Sequence, residues 1–120
     1  MNRDDILRYA GEQLGAGPEY LWAKSPTYFV LRHGNNRKWF AVVMDVPWAA
    51  LGLSGEGRAD ILNVKCDPLL TGSLLEREGI FSAYHMNKSR WVSLLLDGPL
   101  PDEEIIGLLL ISYDLTKGRR

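Results

Sequence analysis

The chain predicts a single α+β domain, a mainly antiparallel sheet with three helices, on three observations. Helical spacing of apolar residues occurs near both ends and once in between. The strand-like segments come in a consecutive run broken by turns, the pattern of α+β rather than of alternating βα units. No stretch of linker composition divides the 120 residues, a length near the commonest for one domain.

Residues 3–14 read as the first helix. Ile6, Leu7, Ala10 and Leu14 share one stripe, Asn2 sits at the N-cap, and Asp4 and Asp5 suit the positive end of the dipole. Gly15-Ala16-Gly17-Pro18 stops it. Residues 20–24, with Trp22, read as an added first strand. Thr27 to His33 is aromatic and β-branched, Gly34-Asn35-Asn36 turns the chain, and 37–46 resumes as a strand. There Phe40, Val42, Met44 and Val46 are expected on one face and Trp39, Ala41 and Val43 on the other. Two apolar faces predict a central strand with partners on both sides.

Pro47 to Arg58 is a connector whose Trp48, Leu51 and Leu53 predict that it packs down. Ala59 to Lys65 is a further strand, with Leu62 and Val64 on one face. Asp67-Pro68 opens a second helix, expected to run through Leu69, Leu70, Leu74 and Leu75 to Glu78 and to end at Gly79. Residues 80–89 read as irregular, and Arg90 to Asp97 as a strand closed by Gly98-Pro99. The last helix begins near Pro101 with Asp102, Glu103 and Glu104 in its first turn. Its apolar surface, from Ile105 to Leu115, is wide enough to be wedged against another helix or shared with a partner subunit. Lys117 to Arg120 is expected to fray. The order read from the residues alone is α-β-β-β-β-α-β-α.

Composition narrows the function classes. Hydrophobic residues make up 46% and charged residues 24%, which excludes a disordered or low-complexity chain. The scaling laws give a folded surface of about 6,500 Å², enough burial for a core without disulfides or metal. A lone cysteine, Cys66, forms no internal disulfide, so a stapled secreted scaffold is excluded. With no signal-peptide pattern at residues 1–5 and no apolar run long enough for a bilayer, a cytoplasmic protein without membrane contact is expected. Net charge is −1, with 14 Lys plus Arg against 15 Asp plus Glu. A nucleic-acid role therefore needs local basic clusters within a neutral whole.

Catalytic signatures are absent: no Gly-rich phosphate loop, no GxSxG, no HExxH. His33 and His85 are far apart, and no Cys or His pair has metal spacing, so neither cofactor nor metal is expected. Cys66 with His85 as base is the one nucleophile pairing, set against a small buried thiol beside a helix start. An enzyme using His85 as acid–base is the weakest reading, because no partner carboxylate or nucleophile is placed.

Two segments carry binding chemistry. The turn Arg32-His33-Gly34-Asn35-Asn36-Arg37-Lys38 has cations on both flanks, suited to two phosphates across a groove; its plain reading is a solvated hairpin end. Tyr84-His85-Met86-Asn87-Lys88-Ser89-Arg90-Trp91 combines an imidazole, an amide, cations and aromatics. Cations suit anions, Asn suits bidentate hydrogen bonding, and aromatics suit stacking. Its plain reading is a braced connection with Trp91 in the core.

The blocks Lys65-Cys66-Asp67-Pro68 and Tyr84-His85-Met86-Asn87-Lys88, with Lys38-Trp39-Phe40-Ala41, Leu51-Gly52-Leu53, Asp60 to Val64, Trp91, Leu96-Asp97 and Ser112-Tyr113, resemble the MmcQ/YjbR family nearly end to end. Ser82 stands where that family's pattern has proline, and Arg90 where histidine is common. The resemblance implies a secretion-chaperone-like α-β3-α-β2-α fold and a double-wing DNA-binding motif in which strand pairs form the wings. The expected function is DNA binding, with Lys65, His85, Lys88 and Arg90, joined by Arg37 and Lys38, on phosphates, Asn87 on a base edge or bracing the loop, and Trp91 in the same strip. The alternative is a module binding a peptide or small anion with these same residues. A monomer or weak homodimer is expected in either case.

Overall fold

A computed structural model describes residues 1–118; the last two positions of the expected frayed tail, Arg119 and Arg120, lie outside the described residues. Helix α1 spans Arg3–Leu14. Strands β1 (Phe29–Arg32) and β2 (Trp39–Pro47) form a hairpin, and a 3-10 turn at Trp48–Leu51 leads to β3 (Arg58–Lys65). The short α2 (Thr71–Leu74) precedes the hairpin of β4 (Ile80–Ser82) and β5 (Trp91–Leu95), and α3 covers Asp102–Thr116. The observed order is thus α-β3-α-β2-α, as the family resemblance implies. All pairings in the sheet β1-β2-β3-β5-β4 are antiparallel.

Helix α1 follows its sequence signals. Asn2 and Asp5 form a reciprocal capping box, and Gly15 ends the helix at φ 63°, a left-handed conformation that glycine adopts without Cβ strain. Hydrogen bonding to the Asn2 backbone N–H holds the Asp5 carboxyl below its ordinary pKa. Ile6 and Ala10 are fully buried, while Leu7 and Leu14 pack at the margin of the same core.

One face of the sheet carries the helices. Phe29, Leu31, Phe40, Val43, Leu62, Val64, Val92 and Leu94 meet Ile105 and Leu109 of α3 and Ile6 of α1 there. The other face has a smaller cluster, Val30, Val42, Met44, Val46, Ile61 and Leu51. It is roofed in part by the half-buried Trp22, Tyr28 and Trp39 rings, packed edge to face at 5.8 Å. Leu51 confirms that the 47–58 connector packs down. The accessible surface of 6760 Å² is close to the value expected from size alone.

Four expectations need correction. Strict alternation on β2 breaks at a bulge: Leu31 pairs with Ala41 but Arg32 with Trp39, so Phe40 turns to the helix side beside Ala41 and Trp39 to the other face. Residues 20–24 make no strand; only Glu19 bridges to Val30 there. The second helix stops at one turn, because Thr71 turns inward to bond backbone, Gly72 and Ser73 favour other conformations, and Leu69 is 89% exposed. Residues 80–82 are strand β4 rather than irregular chain, since Ile80 and Phe81 gain a partner in β5 that no local pattern announces.

Helix α3 begins after Pro101 with three acidic residues in its first turn. It buries Ile105, Leu108, Leu109, Ser112 and Thr116 and leaves Leu110, Ile111 and Leu115 exposed. Among the described residues no helix is long and apolar enough to cross a membrane.

Candidate functional site

Antiparallel topology brings the two sequence-predicted segments to one end of the sheet. The β1–β2 turn, residues 33–38, and the β4–β5 turn, residues 83–90, both project there, on either side of the C-terminal end of β3. Lys65, the last residue of β3, pairs directly with Trp91, the first of β5, and the Cys66 N–H donates to the Arg90 carbonyl at 2.7 Å. Helix α3 ends beside the first turn, where Asn36 Nδ2 donates to the Thr116 carbonyl at 3.0 Å.

Charge follows the same geometry. This end gathers Arg32, Arg37, Lys38, Lys65, Lys88, Arg90 and Lys117. The opposite end holds Asp45, Asp60, Asp97, Asp102, Glu103 and Glu104, with Arg3 paired to Asp60, Arg58 to Asp45, Arg77 to Glu104 and the N-terminal ammonium to Asp97 and Asp102. At the cationic end, Glu19 pairs with Arg32 and Arg37 and Asp114 with Lys117, while Asp67 accepts from the Leu69 N–H. Among the described residues no carboxylate reaches Lys38, Lys65, Lys88 or Arg90. A net charge of −1 therefore hides two poles of opposite sign.

The second turn is only partly free. His85 is exposed at φ 59°, its ring edge-on to Tyr84 at 4.0 Å. Arg90 is exposed, and Trp91 and Lys65 are half-buried. Asn87 Oδ1 accepts from the Ser89 N–H at 3.0 Å and the Ser89 hydroxyl at 2.7 Å, so the bracing role foreseen for it is in place. Lys88 Nζ spans the turn to donate to the Ala83 carbonyl at 2.6 Å. Below it, the Tyr84 N–H donates to Ser93 Oγ, whose hydroxyl donates to buried Asn63 Oδ1. The Asn63 amide in turn reaches Met44 Sδ at 3.6 Å.

In the first turn, Arg37 and Lys38 are exposed, with Arg37 at φ 66°. His33 departs from the surface role expected of it. It is buried between Phe40 and Tyr113, and Nε2 lies 2.9 Å from Thr116 Oγ1. Burial lowers its pKa, reinforced by nearby Lys117 and opposed by a backbone hydrogen bond at Tyr113. Arg32 is likewise half-buried against Glu19 rather than free.

Sequence reasoning missed the polar residues that hold this end together. Ser112 Oγ donates to the Phe40 carbonyl at the β2 bulge (2.6 Å) and accepts from the Lys65 N–H (2.8 Å), joining two strands to α3. The available signal was a serine inside a helix otherwise apolar at that position, and Asn63 inside the run Ile61 to Val64. Cys66 is buried, with Sγ 3.3 Å from Thr71 Oγ1. Two open surface cavities lie at the acidic end, one lined by Met1, Arg8 and Asp102, the other by Trp48, Asp60 and Asp97; neither involves the eight candidate residues. Among the described residues no group of three or more His, Cys, Asp or Glu is placed to hold a metal ion.

A three-helix, five-strand antiparallel domain with two hairpin turns flanking the end of β3 defines a class, and sequence comparison assigns it. The YjbR family model matches residues 13–115, and the chain belongs to that family. It is 42% identical over 117 residues to "Uncharacterized protein YyaQ" of Bacillus subtilis (strain 168), covering 98% of this chain and 99% of that protein. It is similar to a Pseudomonas syringae protein solved by a structural genomics consortium, at 43% identity. The crystal structure superposes with a TM-score of 0.95 over 97% of this chain and 99% of that one; the solution structure gives 0.87, covering 97% and 93%. A Deinococcus radiodurans protein, DR2400, with a DUF419 domain, shares the fold at 22% identity and a TM-score of 0.72, covering 97% of this chain and 78% of that one.

Proposed function

We propose that the chain binds DNA through the cationic end of the sheet, with the β1–β2 and β4–β5 hairpins as two wings and Lys38, Lys65, Lys88 and Arg90 on phosphates. One observation carries this reading: Lys38, Lys65, Lys88 and Arg90 converge from three separate elements without carboxylate partners among the described residues, while Asp45, Asp60, Asp97, Asp102, Glu103 and Glu104 lie at the other pole. Like charges so gathered repel one another, and a polyanion relieves that repulsion as it releases its condensed counterions. Lys88 contacts phosphate with the donors left over from its bond to Ala83. Asn87 braces the second wing, leaving its Nδ2 as the donor available to a base edge or phosphate.

The alternative is a module that binds a peptide or small anion with the same residues. A salt titration with short labelled DNA, both duplex and single-stranded, tests the proposal. Three or four phosphate contacts give a log–log slope of about −3. The double variant Lys65→Glu, Arg90→Glu abolishes binding while its melting curve stays near that of the parent. A slope near zero, or no binding at low salt, overturns the reading.

A further inference from the structure

We propose that this surface takes single-stranded nucleic acid in preference to duplex, with a base stacked on Trp91; the inference rests on the phosphate-binding reading above. Trp91 opens β5, where Val92 and Leu94 turn to the helix side, so its indole lies on the helix-free face. It is half-buried yet belongs to neither apolar cluster, unlike Trp22 and Trp39, which close over the smaller one. Core packing therefore leaves this ring unexplained. Its cross-strand neighbour on the same face is Lys65, and the residue before it is Arg90, both without a carboxylate partner among the described residues.

An indole with one cation as its cross-strand partner and another next to it in the chain suits the alternation of base and phosphate along one strand. Every unpaired base offers a π-face, and stacking on an aromatic ring is tolerant of sequence. In a duplex those faces are already stacked on one another, so the base that Trp91 would meet must be unpaired. Charge complementarity brings the strand to this face, and Trp91 distinguishes a strand that carries free bases from one that does not.

The test measures fluorescence anisotropy at low salt with three probes of equal length: an oligothymidylate, a strand of abasic residues, and a duplex. The parent protein binds oligothymidylate about 10-fold more tightly than the abasic strand, within the range that one stacked base gives. Trp91→Leu removes that difference and keeps the abasic affinity; Trp91→Phe retains most of it. Thermal melts report whether each variant folds, and the parent and Trp91→Phe data decide the matter if Trp91→Leu does not. Equal affinity for base-bearing and abasic strands, a preference that survives in a folded Trp91→Leu, or tighter binding of duplex overturns the inference and leaves the phosphate reading standing. Failure of all three probes to bind overturns both.

Discussion

The two turns at the cationic end differ in how deeply their bonds are buried. The first, residues 33–38, closes on itself through the His33 and Lys38 backbone and is tied to α3 by His33 and Asn36, which both bond Thr116, the His33 bond in the core. The second, residues 83–90, is braced by Lys88 on Ala83 and, at the surface, by Ser89 on Asn87. Its links outward are the Tyr84 N–H on Ser93, the Ser89 carbonyl on Thr71 and the Arg90 carbonyl on the Cys66 N–H. Water replaces a lost bond at the surface but not one in the core. Stability effects should therefore fall from the buried ties of the first turn to the exposed bonds of the second.

The largest effect expected is at Ser112. Ser112→Ala strands the Phe40 carbonyl and the Lys65 N–H together, and unpaired buried groups of this kind cost about 1–3 kcal/mol each. Urea unfolding should show a loss of about 2–4 kcal/mol; a loss below about 0.5 kcal/mol would remove α3 as the anchor of this end.

His33 comes next and gives the first turn a pH signature. The folded state holds the ring below its ordinary pKa, so the unfolded chain protonates first as pH falls. Its stabilising contribution is complete above about pH 6.5 and declines as pH drops from there through the folded value. Thermal melts of the parent minus those of His33→Gln, taken between pH 7.5 and 4.5, isolate this slope from the carboxylates. A difference that does not change with pH would show the ring to be uncoupled.

In the second turn the effects shrink. Asn87→Ala removes the acceptor for two Ser89 donors near the surface and should cost about 1 kcal/mol in urea unfolding, with Asn87→Asp recovering most of it. Lys88→Met takes the charged donor from the carbonyl of buried Ala83 and should cost about 1 kcal/mol. The same variant should also lower the magnitude of the DNA salt slope by about 0.9. A stability loss at Lys88 larger than that at Ser112 would invert the comparison.

Local signals carried much of this architecture. Capping chemistry at Asn2 and Asp5, the acidic first turn after Pro101, and the apolar strands gave α1, α3 and the central position of β2 from the residues alone. What stayed hidden depends on partners distant in sequence. Phe40 changes face because of a bulge against β1, β4 exists through β5, and α2 shortens because Thr71 bonds Ser89. The candidate segment at 84–91 was legible from its residue types, but its division into bracing Asn87 and Lys88 and freer His85 and Arg90 was not. Nor was the convergence with Lys38 and Lys65, since antiparallel register alone brings these cations to one end.

The separation of cations and carboxylates onto opposite ends has a reach beyond any contact. It gives the protein a permanent electric dipole moment along the strands while its net charge stays near zero. Such a particle turns before it touches: in the field of a polyanion it rotates cationic end first, so encounters are oriented without the indiscriminate adhesion of a uniformly basic protein. The same asymmetry should let it adhere by opposite ends to both anionic and cationic chromatography resins at neutral pH and low salt.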